Sequence, residues 1–121
     1  MMMMMMRGDP ERFHVGCEVL ADGVILRPVG DVDLSRSPVL RCEIIEAQKK
    51  SPQRLIVDLA EVPYMDSSGV ATLLEAWQTA RKHRGKVILC NLQEKVKAII
   101  EIARLETVFT IAKDCEEAKG V

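Results

Sequence analysis

A chain of 121 residues with 17 lysines and arginines against 18 aspartates and glutamates is one domain long, and its formal net charge of -1 offers no broad field for nucleic acid or an anionic membrane. Aromatic residues, 3% of the chain, are too few to stack on successive bases, and no apolar run approaches the ~20 residues of a membrane-spanning helix. Direct nucleic-acid binding and direct membrane insertion are excluded on these grounds.

Residues 1–12 read as a disordered leader. Met1–Met6 is low in complexity and precedes Arg7-Gly8-Asp9-Pro10 without the basic start or small-residue cleavage site of a secretory signal. A start codon assigned too far upstream would give the same opening. Residues 13–121 read as one α/β domain. Phe13 to Leu20 alternates loosely, Ala21-Asp22-Gly23 supplies turn chemistry, and Val24-Ile25-Leu26-Arg27-Pro28-Val29 completes a hairpin. After Gly30-Asp31-Val32-Asp33, the residues Leu34, Val39, Leu40, Ile44, Ile45 and Ala47 recur at helical spacing through Gln48. Asp33 or Ser35 is placed to accept the free N–H groups there, and Pro38 falls in the first turn. Lys49-Lys50-Ser51-Pro52 closes that helix.

Arg54-Leu55-Ile56-Val57-Asp58-Leu59 is a short branched apolar run, hence a buried strand, and Pro63 follows its break. Tyr64-Met65-Asp66-Ser67-Ser68-Gly69 then puts a carboxylate, two hydroxyls and a glycine at the mouth of a helix whose stripe is Val70, Leu73, Leu74, Trp77 and Ala80. Arg84-Gly85 predicts the helix stop, and Lys86 to Asn91 another buried strand. Gln93 to Ala103 predicts a third helix, Val108-Phe109-Thr110-Ile111 a last strand, and Asp114 to Lys119 a final helical piece. Strand and helix alternating after a hairpin predict a mixed sheet of four to five strands, its later strands parallel, with about four helices.

Little conventional chemistry fits the polar turn. Met65 and Asp66 stand where a nucleophile elbow needs glycine, and the histidine nearest in sequence, His83, lies far along the helix. The seven glycines are isolated from one another, so no phosphate or dinucleotide loop exists. Cys17, Cys42, Cys90 and Cys115 are scattered without a C-x-x-C and read as small core residues in a reducing cytoplasm; His14 and Cys17 form at most half a metal site. The expectation is no metal, no cofactor and no catalytic residue. A serine at a helix start can instead be acted upon: a phosphate adds about -1.5 to -2 charge, which free N–H groups and the helix dipole would tolerate. Taken in isolation, the same residues read first as ordinary helix capping, and spacing alone does not reveal a phosphosite.

The run Leu55-Ile56-Val57-Asp58-Leu59 with Val62-Pro63-Tyr64-Met65-Asp66-Ser67-Ser68-Gly69-Val70 resembles the signature of STAS domains, the sulphate transporter and anti-sigma-factor antagonist family. Gly30-Asp31-Val32-Asp33 resembles the step before that family's first helix, and Gly85-Lys86-Val87-Ile88-Leu89 its following strand. The resemblance implies a single-domain anti-sigma factor antagonist in a phosphorylation-controlled partner switch. It implies phosphorylation at Ser67, with Ser68 as secondary candidate, by an anti-sigma factor that is also a serine kinase, and dephosphorylation by a PP2C-type phosphatase. ATP and Mg²⁺ would belong to the kinase. It further implies a docking face of Gly30, Asp31, Asp33, Asp66, Ser67, Ser68 and Gly69, and leaves room for a weak homodimer. The alternative within the family is a non-phosphorylated subunit of a membrane lipid-transport ABC complex, or a stressosome-type scaffold. A small enzyme or nucleotide-binding protein using the Ser67 turn is the reading from another class.

Overall fold

The computed structural model of the chain describes residues 13–121; the expected leader, 1–12, lies outside the described residues. The hairpin forms as expected, β1 (His14–Val19) pairing antiparallel with β2 (Gly23–Val29). Then follow α1 (Ser37–Gln48), β3 (Arg54–Asp58), α2 (Ser67–Lys82), β4 (Lys86–Cys90), α3 (Glu94–Ile102), β5 (Thr110–Ala112) and α4 (Cys115–Lys119). From β2 to β5 each strand pairs parallel with the next, giving one five-stranded mixed sheet in the order β1-β2-β3-β4-β5. Parallel neighbours need a crossover, and α1, α2 and α3 are those crossovers.

Alternate strand residues feed two cores, which is why the middle of β3, Leu55-Ile56-Val57, is apolar on both faces. Leu26, Leu55, Val57, Val87 and Leu89 pack with Leu40, Ile44, Leu73, Val96 and Ile100 from α1, α2 and α3. Ile25, Ile56, Ile88 and Cys90 face the other way, onto a smaller core shared with Ala112 and with Ala118 of α4. Among the described residues, no helix is long and apolar enough to cross a membrane.

Three local expectations are corrected. Leu34 belongs to no helical stripe: α1 begins at Ser37, and Leu34 is 76% exposed. Asp33 Oδ1 accepts hydrogen bonds from the Ser35 N–H at 3.1 Å, the Ser35 hydroxyl at 2.8 Å and the Arg36 N–H at 3.1 Å, tying the chain into a turn before the helix. Cys17 and Cys42 are exposed, whereas Cys90 is buried and Cys115 half-buried. Cys17 lies on the edge strand, and Cys42 falls off the buried stripe of Ser37, Leu40, Ile44 and Gln48. The helix stop expected at Arg84-Gly85 forms: α2 ends at Lys82, and Arg84 takes the left-handed conformation, with φ 62°. Gly85 N–H then reaches back to Ala80 O at 2.8 Å, and a Cβ on Gly85 would lie 2.7 Å from Pro52 O. Finally, β5 starts at Thr110, because the N–H groups of Val108 and Phe109 both donate to Leu105 O in the turn after α3.

Candidate functional site

Beyond β3 the chain is anchored by Leu59, Val62 and Met65, each 0% exposed, and this anchoring carries Asp66 to the start of α2. Val32 and Met65 form an isolated parallel bridge: Val32 N–H donates to Tyr64 O at 3.0 Å, and Asp66 N–H donates to Val32 O at 3.1 Å. Gly30 N–H adds a bond to Glu61 O at 2.9 Å. These bonds lay the Gly30–Asp33 loop beside the Asp66–Gly69 turn, joining two segments that are remote in sequence. Two glycines make the approach possible. Gly30 sits at φ 112°, where side chains are disfavoured. Gly69 packs so closely that a Cβ would lie 2.4 Å from Met65 Cγ and 2.9 Å from Val32 Cγ1.

The helix cap is Asp66. Its Oδ1 accepts from the Ser68 N–H at 2.9 Å, the Ser68 hydroxyl at 2.6 Å and the Gly69 N–H at 3.4 Å. The Ser68 hydroxyl above all, then the backbone N–H groups of Ser68, Gly69 and Leu34, holds the Asp66 carboxyl below the usual carboxylate range. Ser68 therefore braces the cap rather than making it. This also corrects the idea that free N–H groups await an anion, since two of them already serve Asp66. Asp33 is held low in the same way, first by the Ser35 hydroxyl, and it binds Arg36 Nη1 at 2.9 Å.

The two serines differ. Ser68 is half-buried, with its hydroxyl committed to Asp66. Ser67 is exposed on the first turn of α2, and its hydroxyl meets no hydrogen-bond partner among the described residues. Asp31 is exposed and Gly69 buried. Sequence reasoning missed the apolar edge of this site: Leu34 is 76% and Tyr64 43% exposed, one on each loop. The signal was present in Leu34, which directly follows the turn-forming Asp33 and so falls outside the helix. His83 caps the opposite end of α2, its Nε2 3.2 Å from Pro52 O. His14 and Cys17 both lie on β1, where their odd spacing turns them to opposite faces.

Residues 16–118 match the STAS domain family. The chain is 27% identical over 99 residues to the anti-sigma-B factor antagonist of Listeria monocytogenes, covering 82% of this chain and 87% of the relative. It is 28% identical over 87 residues to the anti-sigma-B factor antagonist of Bacillus subtilis, covering 72% and 79%. Among solved structures, an anti-sigma factor antagonist from Mycobacterium paratuberculosis superposes with TM-score 0.83 at 20% identity, over 93% of this chain and 95% of that one. The Bacillus cell fate determinant SpoIIAA in its phosphorylated form superposes with TM-score 0.68 at 24% identity, over 90% and 97%. These two likenesses establish a common fold.

Proposed function

The chain belongs to the STAS domain family, and on that premise we propose that it is an anti-sigma factor antagonist in a phosphorylation-controlled partner switch. Unphosphorylated, it binds an anti-sigma factor that is also a serine kinase, so that a sigma factor is released; phosphorylated on Ser67, it dissociates. The names of its relatives support the antagonist role. One observation carries the choice of Ser67: its hydroxyl is exposed and uncommitted among the described residues, while that of Ser68 is held 2.6 Å from Asp66 Oδ1. A kinase reaches Ser67 without dismantling the helix cap. Modifying Ser68 would require breaking it.

The kinase brings ATP and Mg²⁺ and moves the γ-phosphoryl group onto Ser67 Oγ, which loses its proton; a PP2C-type phosphatase hydrolyses the ester. The chain itself acts as substrate and binding module, with His83 sixteen residues from Ser67 at the far end of α2. The helix dipole favours the added phosphate by ~0.3–1 kcal/mol. Against this stand the Asp66 carboxylate next to it and the acidic Asp31 and Asp33 across the bridge. The phosphate therefore stays turned to water and the domain keeps its fold. A partner seated on Leu34, Tyr64 and the Asp66–Gly69 turn must strip that water. A like-charge juxtaposition costs several kcal/mol, and each ~1.4 kcal/mol is tenfold in affinity.

The test has two steps. The wild-type chain, Ser67→Ala and Ser67→Asp are used to capture the kinase from lysate, and the captured kinase is incubated with the wild-type chain and ATP·Mg²⁺ for mass-spectrometric mapping. Phosphate is expected on Ser67, with Ser67→Ala binding like wild type and Ser67→Asp at least about tenfold weaker. Equal binding by the two variants, or phosphate on Ser68, refutes the switch.

A further inference from the structure

The sequence has no paired cysteines at metal-ligand spacing, yet the fold assembles such a set from distant segments. Asp58 ends β3, Cys90 ends β4 and Cys115 opens α4. One ligand atom from each lies within 4.8 Å of the other two. Cys90 Sγ is 3.6 Å from Cys115 Sγ, and Cys115 Sγ is 3.3 Å from Asp58 Oδ2. We propose that Asp58, Cys90 and Cys115 form a binding site for a thiophilic divalent cation of the zinc class, which pins α4 to the end of the sheet.

Two of the three spacings fit such a cation closely. Tetrahedral coordination with metal–sulfur bonds of about 2.3 Å and metal–oxygen bonds of about 2.0 Å sets two sulfurs about 3.8 Å apart and a sulfur and an oxygen about 3.5 Å apart. The observed 3.6 and 3.3 Å fall within about 0.2 Å of those values. A disulfide, with its sulfurs about 2.05 Å apart, would require the two thiols to close by about 1.5 Å. Charge fits as well. Binding expels one proton from each thiol to solvent, so two thiolates, one carboxylate and the divalent cation sum to one negative charge. Arg27 Nε, 3.3 Å from Asp58 Oδ2, stands ready to balance it.

The surrounding structure prepares Asp58 as the anionic ligand. Asn91 Nδ2 at 2.9 Å and the Ala60 N–H at 3.1 Å donate to Asp58 Oδ1, leaving Oδ2 turned toward Cys115 and Arg27. Cys115 is half-buried and the Asp58 side chain 11% exposed, while Cys90 is buried.

Co²⁺ is the probe, added to the reduced, metal-free full chain. The expected result is one cobalt per chain with thiolate-to-cobalt charge-transfer absorption and the visible bands of tetrahedral cobalt, displaced by Zn²⁺. The Cys17→Ser/Cys42→Ser double variant should retain the spectrum, while Cys115→Ser should weaken binding at least about tenfold. A second measurement needs no variant: Zn²⁺ should protect the half-buried Cys115 from N-ethylmaleimide while the exposed Cys17 and Cys42 react. The proposal is overturned by the absence of a cobalt–thiolate band in the wild-type chain, or by a band that survives Cys115→Ser and vanishes in the double variant. It is equally overturned if Zn²⁺ gives no protection and Cys90 and Cys115 are instead recovered as a disulfide.

Discussion

Replacing Gly69 with alanine sets two effects of opposite sign against each other. Gly69 lies in the first turn of α2, where alanine improves helix propensity by ~0.8–1 kcal/mol. The new Cβ would lie 2.4 Å from Met65 Cγ, 3.1 Å from Met65 Sδ and 2.9 Å from Val32 Cγ1. Both neighbours are 0% exposed, and together they form the bridge between the two loops of the candidate site. Neither can turn out to solvent, so relief means moving core side chains or opening the bridge, an overpacking cost of ~1–3 kcal/mol. The packing term wins, and Gly69→Ala should be less stable than wild type by ~1 kcal/mol. Urea denaturation measures it: with a slope of ~1–3 kcal/mol/M, the midpoint falls by roughly 0.5 M while the slope is unchanged. The same shift in the bridge should lower affinity in the kinase capture. A variant as stable as wild type, or more so, would refute the reasoning, because propensity without the clash predicts a gain.

Removing the cap with Asp66→Ala should cost ~1 kcal/mol, within a range of ~0.5–2. Because the folded-state pKa of Asp66 is depressed, its contribution is present above the unfolded value of ~3.9 and is lost as pH falls through the folded one. The wild-type advantage over Asp66→Ala should thus be full at pH 6 and shrink below about pH 4; an advantage constant from pH 7 to pH 2 would contradict the cap geometry. At the other end of α2, Arg84→Gly relieves a left-handed backbone and should stabilise the chain by ~0.5–1 kcal/mol in thermal denaturation. Gly85→Ala should destabilise it, since the added Cβ meets Pro52 O at 2.7 Å, and a gain on that substitution would show that the contact yields.

Local pattern determined much of this protein. The hairpin at Ala21-Asp22-Gly23, the buried runs of β3 and β4, the helices between them and the polar start of α2 all follow from alternation, helical spacing and turn residues. Those signals act over a few neighbouring residues, so one chain segment suffices to read them. The resemblance carried by Leu55 to Val70 was likewise legible, and with it the family. Tertiary structure alone decided what depends on which face a neighbour covers. It exposed Leu34 and Tyr64 beside the turn, left Cys17 and Cys42 in solvent, and committed the Ser68 hydroxyl to Asp66 while leaving Ser67 open. It also brought Cys115 to Cys90, 25 residues away, and to Asp58, 57 residues away. Burial and pairing at such separations are set by the order of strands in the sheet and by the packing of α4 against it, and no local periodicity encodes either.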